Sequence, residues 1–431
     1  MKAEAHAKIP EGGHYGPPQS GLEKPAAVGD GIQTELGCLP ADWRVARFDS
    51  VFDVQQGRQV SKGNRVGENQ RPFLRTKNVF WNRLDLTDLD EMHFSVADES
   101  RLALKPDDLL ICEGGDIGRT AIWRGLISRC YYQNHLHRAR IRDPKTADAQ
   151  FVLFWFWYAF DFGHLYFGRG NVTTIPNLSQ SKLRELPLAI PPLAEQRKIA
   201  GVLGLVQRAI EQHERQLQLT AELKKTLLHQ LFTQGLRGER QKQTKIGPVP
   251  ESWEVVLFEE FALLQRGFDL PRNEFRDGPY PVVGATTTIG FHDKWNVKGP
   301  GVTVVRSGSS AGKPQFVETD FWAHNVVLFV KDFHGHNPKF VYYKIQHLDL
   351  TKYREGAAVP TLNRNSFRTI PVAVPKREEQ DQFVQVLDCV EQKEEVHRRK
   401  RAALTALFHT LLHQLMTAQL RVCKLALPEL A

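Results

Sequence analysis

The feature that most constrains the fold of this chain is a sequence plan that occurs twice. The segment GCLPADWRVARF, which starts at Gly37, returns as GPVPESWEVVLF, which starts at Gly247. Six residues match without a gap at this offset of 210 positions: Gly37/Gly247, Pro40/Pro250, Trp43/Trp253, Val45/Val255, Phe48/Phe258 and Gly57/Gly267. A repeat of this kind predicts two domains built on one plan.

A second set of matches lies 184 positions apart and follows later in each copy. IPNLSQSKLRELPLAIPPLAEQ from Ile175 corresponds to VPTLNRNSFRTIPVAVPKREEQ from Val359, and LLHQLFTQGLR from Leu227 corresponds to LLHQLMTAQLR from Leu411. Because the offset falls from 210 to 184, the first copy carries 26 more residues between its Trp motif and its Pro-rich motif. The two copies therefore share a frame and differ in the part between.

The middle of each copy has the pattern of short strands and turns. IGRTAIW, LHRARIR, GVTVVRS and NVVLFVK are apolar or alternating over strand-like lengths, and Gly, Asn and Pro separate them. The dense run FVLFWFWYAF from Phe151 is only ten residues long, which is too short to span a membrane. It therefore predicts a buried helix.

After each Pro-rich motif, apolar residues recur at spacings of three and four, which predicts a helix of about 40 residues in each copy. Antiparallel alignment of the two helices sets Ile210 against Phe408 and Lys224 against Glu394, whereas parallel alignment buries Glu394 against Ile210. Burying an unpaired charge costs several kcal/mol, so the antiparallel arrangement is favoured. We expect an intramolecular antiparallel coiled coil with a globular domain at each end.

Composition narrows the classes of function. Basic residues exceed acidic ones to give a net charge of +8 and a pI near 9.1, which favours a polyanionic partner without proving one. The five cysteines form no C-x-x-C pair, so neither a zinc site nor a disulfide framework is predicted, and a reducing cytoplasm fits best. No secretory leader or membrane-spanning run is found.

Motifs that carry catalytic chemistry are missing. The sequence contains no methyltransferase N/D-P-P-Y/F motif, no G-x-S-x-G and no H-E-x-x-H. GSSAGKP from Gly308 has too short a spacing and a proline where a phosphate-binding loop needs Ser or Thr. The pairs His135/His137 and His334/His336 would point to opposite faces of a strand, so structural roles are favoured and no metal site is predicted.

The order of these motifs resembles that of a known family. An opening of the type G-x-x-P-x-x-W, a variable domain, a helix start such as PLAIPPLAEQ, and a second copy of the whole are similar to the specificity (S) subunits of type I DNA restriction-modification systems. The resemblance spans about residues 37 to 425. It implies an α+β fold with two globular mixed α/β target recognition domains, separated by a long antiparallel two-helix coiled coil, and an internal pseudo-two-fold repeat.

The resemblance implies these boundaries: a flexible N-terminal tail over 1–36, target recognition domain 1 over 37–192, a first long spacer helix over 193–237, a linker over 238–246, target recognition domain 2 over 247–375 and a second long spacer helix over 376–423.

The resemblance also implies a function. In that family each recognition domain reads one half of a bipartite asymmetric site in double-stranded DNA, and the subunit itself is not an enzyme. The partners expected are two DNA methyltransferase subunits and restriction/translocase subunits, with no membrane. No cofactor is expected in this chain, whereas the methyltransferase would use S-adenosylmethionine and the motor subunit ATP and magnesium. The alternatives are a related system that cuts on both sides of its site, or an unrecognised metal-dependent nuclease.

Two pairs of loops contain candidate DNA contacts. CEGGDIGRT from Cys112 and RSGSSAGKP from Arg306 align Gly114 with Gly308 and Gly118 with Gly312. Exposed amides beside a cation suit a phosphate, although a tight turn that needs glycine is the alternative. The second pair is FGRGNVTTIPN and EGAAVPTLNRN, where helix capping by Asn177 and Asn363 is the alternative. The candidates are Gly115, Arg119, Arg306, Ser309, Ser310 and Lys313 in the first pair, and Arg169, Asn171, Thr173, Asn363, Arg364 and Asn365 in the second.

A third candidate segment occurs in the first copy only. RPFLRTKNVFW places four polar residues beside aromatic ones, which is typical of a strand that reads the major groove or of an ordinary solvated strand face. The candidate residues are Arg71, Arg75, Lys77 and Asn78.

Overall fold

The chain folds into two compact units. The computed structural model describes residues 31–166, 177–356 and 359–422. The first unit consists of Met1–Arg208 and Thr405–Ala431, and the second of Ala209–Leu404. Among the described residues, no helix is long and apolar enough to cross a membrane.

The first unit contains a four-stranded and a three-stranded sheet. Its strands are β1 (Gly31–Thr34), β2 (Gly37–Pro40), β3 (Arg44–Arg47), β4 (Phe52–Gln56), β5 (Gln70–Leu74), β6 (Val79–Phe80), β7 (Arg83–Leu84), β8 (Asp90–His93), β9 (Leu109–Cys112), β10 (Thr120–Ile122), β11 (Tyr131–Tyr132), β12 (Leu136–Ile141) and β13 (Pro187–Ile190). The larger sheet has the order β10-β9-β12-β4 and the smaller one β11-β5-β8. Strands β10 and β12 lie where alternation predicted strands.

Short helices complete the first unit: α1 (Phe48–Val51), α2 (Val96–Leu102), α3 (Ala149–Trp157) and α4 (Gln180–Glu185). Helix α3 and the π-helical turn Tyr158–Phe162 form the dense aromatic run, and Asp148 caps α3 by accepting the N–H of Phe151 over 2.9 Å. Residues 151–156 are buried, so the prediction of a buried helix is confirmed.

Helix α5 (Leu193–Gln234) leaves the first unit and is 42 residues long. The second unit repeats the plan with the strands β14 (Gln241–Thr244), β15 (Gly247–Pro250), β16 (Glu254–Leu257), β17 (Leu263–Arg266), β18 (Tyr280–Gly284), β19 (Thr287–His292), β20 (Gly301–Val305), β21 (Pro314–Val317), β22 (Trp322–Ala323), β23 (Val327–Asp332), β24 (Arg354–Glu355), β25 (Thr361–Leu362) and β26 (Pro371–Val374). Its larger sheets have the orders β17-β23-β20-β21 and β19-β18-β22. Its helices are α6 (Phe258–Phe261), α7 (Pro338–Leu348) and the 40-residue α8 (Arg377–Met416).

Each copy begins with a hairpin that the sequence did not reveal. Strands β1 and β2 pair antiparallel, as do β14 and β15. The hydroxyl groups of Thr34 and Thr244 donate to the carbonyl oxygens of Gly37 and Gly247, in both cases over 2.7 Å, and both glycines have φ near +100°. Residues 31–34 and 241–244 therefore form strands inside the segments that were predicted as a tail (1–36) and a linker (238–246).

The two ends of each domain are tied together by a four-residue strand pair, which we call the clasp. In the first unit β3 pairs antiparallel with β13, and in the second β16 pairs antiparallel with β26. The variable middle of each copy lies between these strands. The matching sequences at both ends of the repeat thus meet in space.

The repeated Glu-Gln at the start of each long helix has a structural role. Gln196 is fully buried; its amide donates to the carbonyl oxygen of Pro191 over 2.8 Å, and its Oε1 accepts the N–H of Asp148 over 2.9 Å. Gln380 makes the equivalent bonds to Pro375 and Asn337, over 2.9 and 3.0 Å. One glutamine therefore fixes a long helix to the N-terminus of its domain helix, α3 or α7.

In the second unit α5 contacts α8, and in the first unit α8 contacts α3. In the second, Lys224 Nζ lies 2.6 Å from Glu391 Oε1, and Leu231 and Leu387 share one apolar cluster. The charge pairing differs from the predicted one by a helical turn, because Glu394 pairs with Arg398 on its own helix. In the first unit, Phe408 packs edge-on against Phe154 of α3.

Candidate nucleic-acid interface

An open groove of about 1000 Å³ lies on the second unit. The C-terminal ends of β17 and β20, together with β24, β25 and the residues that follow β25, form this groove. Its lining includes charged, amide and aromatic side chains: Gln265, Arg266, Phe268, Asp269, Arg306, Asn325, Glu355, Thr361, Asn363 and Arg364. We call this surface the second-unit groove.

A glycine allows the close backbone approach that shapes the groove. Any Cβ at Gly267 would collide with the carbonyl oxygens of Ala323 and His324. Gly57 of the first unit is held in the same way against Tyr132 and Gln133. The matched pair Gly57/Gly267 is therefore explained by a strand crossing that both copies need.

The carboxylates in the second-unit groove accept hydrogen bonds from neutral donors, whereas the guanidinium of Arg306 lies near a second cation, Arg266. Asn325 donates to Asp269 and Ser366 donates to Glu355. Burial, and then the neighbouring Arg266, hold the pKa of Arg306 below its ordinary value. No acceptor among the described residues lies within hydrogen-bonding distance of Arg306 Nε. The groove thus brings guanidinium groups close together, which suits an anionic or acceptor-rich ligand.

The structure brings three predicted residues together in this groove: Arg306, Asn363 and Arg364. Asn363 also accepts the N–H of Asn365 over 3.1 Å and caps a 3₁₀ turn, so the capping alternative is correct for it. Asn365 is exposed but lines a separate pocket of about 160 Å³. A direct contact of these residues with DNA stays a prediction.

Arg266, Phe268 and Asn325 were missed by the sequence analysis. Arg266 and Phe268 lie at the end of β17, and Asn325 lies just before β23. The pairing of these two strands brings the three residues to one groove. The single signal was the match of Gly57 with Gly267, which lies beside two of them. Phe268 is 44% exposed, which is a large apolar surface for a planar base to contact.

The two Gly-rich turns hold their cations differently, and phosphate binding by either turn stays a prediction. Gly115, Gly118, Gly308 and Gly312 all have positive φ, which supports the tight-turn alternative. Arg119 pairs with Asp116 and donates to the carbonyl oxygen of Thr76 over 2.9 Å, so it fastens its own loop. In the second unit Ser309 and Lys313 are exposed and Ser310 is half-buried.

The three cations of the third candidate segment, RPFLRTKNVFW, each pair with a carboxylate. Arg71 pairs with Glu99 over 2.6 Å and Arg75 with Asp90 over 2.7 Å, while Lys77 lies 2.8 Å from Asp88. The guanidinium of Arg129, followed by that of Arg71, lowers the pKa of Glu99 to about 2. These cations are thus already matched by carboxylates within the first unit.

Asn78 has a structural role in place of the predicted contact. It is 2% exposed, and its side-chain amide donates to the carbonyl oxygens of Asp85 and Asp88 over 3.1 and 3.0 Å. Its Oδ1 accepts the N–H of Arg75 over 2.9 Å. With its donors and acceptor used inside the loop, it offers nothing to a base. The remaining candidates Arg169, Asn171 and Thr173 lie outside the described residues.

Equivalent backbone hydrogen bonds locate the counterpart of the groove on the first unit. The N–H of Leu178 donates to Glu113 O, and that of Leu362 donates to Arg306 O, both over 2.7 Å. Glu113 therefore occupies the place of Arg306, which corrects the predicted alignment of Gly114 with Gly308 by one residue. The other corresponding pairs are Gln56/Arg266, Arg58/Phe268, Asn134/Asn325 and Gln180/Arg364.

The histidines that were weighed as ligands are used structurally or lie at the surface. His137 is fully buried; its Nε2 lies 2.8 Å from the carbonyl oxygen of Leu178, and burial lowers its pKa. His336 Nδ1 lies 2.9 Å from the amide of Gln380. Within the described part of the chain, no group of three or more His, Cys, Asp or Glu side chains is placed to hold a metal ion.

The chain is similar in sequence to one family of DNA specificity proteins. A family model described as type I restriction modification DNA specificity domain matches residues 40–221 and 250–406. A putative type I restriction enzyme specificity subunit, MjaX, from Methanocaldococcus jannaschii is 25% identical over 232 residues, which cover 52% of this chain and 53% of that protein. The MjaVIII specificity subunit from the same organism is 32% identical over 104 residues, or 24% of each chain. The match thus spans about half the length of the first relative and less of the second.

Solved structures share the fold at low sequence identity. The S subunit of a type I restriction-modification system from M. genitalium has a TM-score of 0.60 at 17% identity, covering 86% of this chain and 96% of that one. A chain from a structure described as the basis of complex assembly and conformational transition of the type I R-M system has a TM-score of 0.54 at 14% identity, covering 88% and 99%.

Proposed function

The chain belongs to the family of type I restriction modification DNA specificity domains, and we propose that it is the non-catalytic DNA sequence-specificity subunit of such a complex. Each of its two domains reads one half of a bipartite, asymmetric site in double-stranded DNA. One observation carries this proposal: the two copies hold the same backbone frame around the groove but place Arg266, Phe268 and Arg306 where the first copy has Gln56, Arg58 and Glu113. Different side chains on one frame suit the reading of two different half-sites.

The two long helices form an antiparallel coiled coil in this proposal. Its support is the order of the contacts within each unit. Glu195 at the start of α5 binds Arg421 beyond the end of α8 over 2.7 Å, while Lys224 binds Glu391 and Leu231 clusters with Leu387. Residue numbers rise along one helix as they fall along the other.

The same helices carry an internal two-fold relation. His213 and His397 are equivalent positions of the repeat, and their Nδ1 atoms lie 2.9 Å apart. Two equivalent residues of an antiparallel pair meet where a two-fold axis passes between them. This contact therefore supports the pseudo-two-fold repeat expected from the sequence.

Both helices present apolar side chains to solvent at matching places. Leu223 is 50% exposed, and its repeat equivalent Leu407 is 45% exposed. Exposed apolar side chains at equivalent positions suit two identical partners. We assign these partners as two DNA methyltransferase subunits, which use S-adenosylmethionine, with restriction/translocase subunits that use ATP and magnesium joining the complex in the cytoplasm.

Sequencing of methylated DNA tests this function. Co-expression of the chain with its cognate methyltransferase subunit is expected to yield adenine methylation at one bipartite sequence, and replacing residues 247–375 by another such domain should change one half-site only. The control is the methyltransferase subunit expressed alone. Methylation that persists unchanged without this chain contradicts the proposal, as does magnesium-dependent DNA cleavage by the purified chain alone.

A further inference from the structure

One position of the groove carries opposite charge in the two units. Glu113 directly follows β9, and Arg306 directly follows β20. The N–H of Glu113 donates to His135 O over 3.0 Å, and the N–H of Arg306 donates to the equivalent Val326 O over 2.8 Å. The backbone thus fixes both residues in one place, and only the side chain differs. We call this place the reversal position.

In the first unit the carboxylate of Glu113 lies among donors. Gln56 Nε2 donates to its Oε2 over 3.4 Å, and His135 Nδ1 lies 3.5 Å from the same oxygen. The side chain is 13% exposed, so it keeps an open face. A carboxylate is repelled by DNA phosphates and accepts hydrogen bonds from the amino groups of cytosine or adenine in the major groove.

In the second unit the guanidinium of Arg306 faces the reverse situation. Burial, and then the neighbouring cation Arg266, lower its pKa, and its buried Nε has no hydrogen-bond partner in the described ranges. The side chain lines the second-unit groove together with exposed Phe268. The planar fork of a guanidinium matches the O6 and N7 acceptors of guanine.

We propose that the reversal position selects a base in each half-site: Arg306 pairs with a guanine, and Glu113 pairs with a base that carries an exocyclic amino group, cytosine or adenine. This inference rests on the proposed function and names the residues by which that function distinguishes its two half-sites. Because Arg306 and Glu113 sit on separate units, each acts on one half-site without affecting the other.

The experiment compares methylated sites of cells that express the methyltransferase subunit with the wild-type chain or with Arg306→Gln, Glu113→Gln or Arg240→Gln. Arg306→Gln is expected to relax one guanine of one half-site by about tenfold while the other half-site keeps its sequence, which also shows that the chain is folded. Glu113→Gln should relax a cytosine or adenine of the opposite half-site. Arg240→Gln removes the same charge from an exposed position outside the groove and should leave both half-sites unchanged.

A binding assay separates a guanine contact from a phosphate contact. The purified complex is titrated with its duplex and with duplexes in which single guanines are replaced by 7-deazaguanine, which lacks the N7 acceptor. One replacement should weaken binding by the wild-type complex about tenfold and have little effect on the Arg306→Gln complex. Equal weakening by Arg306→Gln of every duplex, with a reduced dependence of binding on salt, would assign Arg306 to a phosphate and overturn the inference.

The two proposals fail in different ways. If the wild-type complex methylates a bipartite site and Arg306→Gln and Glu113→Gln leave its sequence unchanged, the reversal position is not a selector although the chain is a specificity subunit. If the wild-type complex methylates no bipartite site, the proposed function fails and the inference falls with it. If a variant abolishes all methylation, the binding assay decides, because the purified complex is tested on defined duplexes.

Discussion

In the first unit the indole N–H of Trp43 donates to Glu195 Oε2 over 3.2 Å, whereas its repeat equivalent Trp253 finds no acceptor among the described residues. Arg421 completes the first arrangement by binding Glu195 over 2.7 and 2.8 Å and Asp42 over 2.6 and 3.1 Å. A buried glutamate is thereby satisfied by an indole and a guanidinium. We call this arrangement the first-unit corner.

At the equivalent position of the second unit, the buried glutamate and tryptophan have other partners. Arg237, the repeat equivalent of Arg421, is exposed, and buried Glu379 accepts only the backbone N–H of Leu236 over 3.2 Å among the contacts described. The buried ammonium of Lys344 lies 4.9 Å from the centre of the Phe232 ring and 5.7 Å from that of Trp253.

The comparison shows which residues encode the shared frame. Glycines at crossings and hairpins, the backbone hydrogen bond of each Trp to the carbonyl oxygen of Pro40 or Pro250, and the Gln at each helix start recur in both units. The ion pairs Arg421–Glu195, Arg71–Glu99 and Lys224–Glu391 each belong to one unit. Charges in this molecule therefore distinguish the copies, and apolar packing and backbone geometry make them alike.

The largest expected effect comes from removing the guanidinium of the first-unit corner. Arg421→Ala leaves Glu195, which is 4% exposed, with one neutral donor, and should lower the free energy of unfolding by about 3 kcal/mol. The matched control is Arg237→Ala, which removes an exposed side chain and should cost less than about 0.5 kcal/mol. Urea denaturation measures both; equal losses would show that the corners are not different.

A pH-dependent effect should mark the second unit. Burial lowers the pKa of Lys344 from 10.5 to about 7, so between pH 7 and 9 the folded chain has lost a proton that the unfolded chain keeps. The free energy of unfolding should therefore rise by about 1 kcal/mol per pH unit over this window. Lys344→Met should be more stable at pH 7 and lack this rise.

Urea denaturation at several pH values checks the slope. The control is Lys331→Met, which removes an exposed lysine of β23 and should retain the wild-type slope. Parallel curves for the wild type and Lys344→Met would mean that the buried ammonium does not titrate in this range.

A smaller effect tests the antiparallel pairing of the long helices. Lys224→Glu places two carboxylates at the 2.6 Å contact with Glu391 and should cost about 1 kcal/mol, and adding Glu391→Lys should restore most of the loss. The first unit has Phe408 and Gln207 at these places, so the charge pair belongs to the second unit alone. Failure of the double reversal to recover stability would argue for another register or direction.

Much of the frame was predictable because it depends on local pattern and on repetition. The lengths of α5 and α8 followed from apolar spacing, the strand β12 from alternation and the strand β23 from a continuous apolar run. The opening hairpins were missed because GIQTELG and QKQTKIG are short and polar, and a threonine hydroxyl rather than apolar alternation closes them.

The site was less predictable because it is assembled by long-range register. Arg306 and Arg364 were predicted as candidates because they lie in loops that align between the two copies of the repeat. Arg266 and Asn325 were not, because nothing nearby in the sequence shows that the ends of β17 and β23 meet. Arg71 and Arg75 were proposed for their charge, yet charge alone does not reveal that Glu99 and Asp90 are their partners.

The clasp that joins the ends of each domain has a consequence for how such chains diversify. Since β3 pairs with β13 and β16 with β26, the segment between each pair of strands is an insert whose entry and exit lie side by side. A recombination event that replaces the insert leaves the pairing strands, the helix start and its buried Gln untouched. An exchanged insert would therefore enter and leave the domain through the same pair of strands.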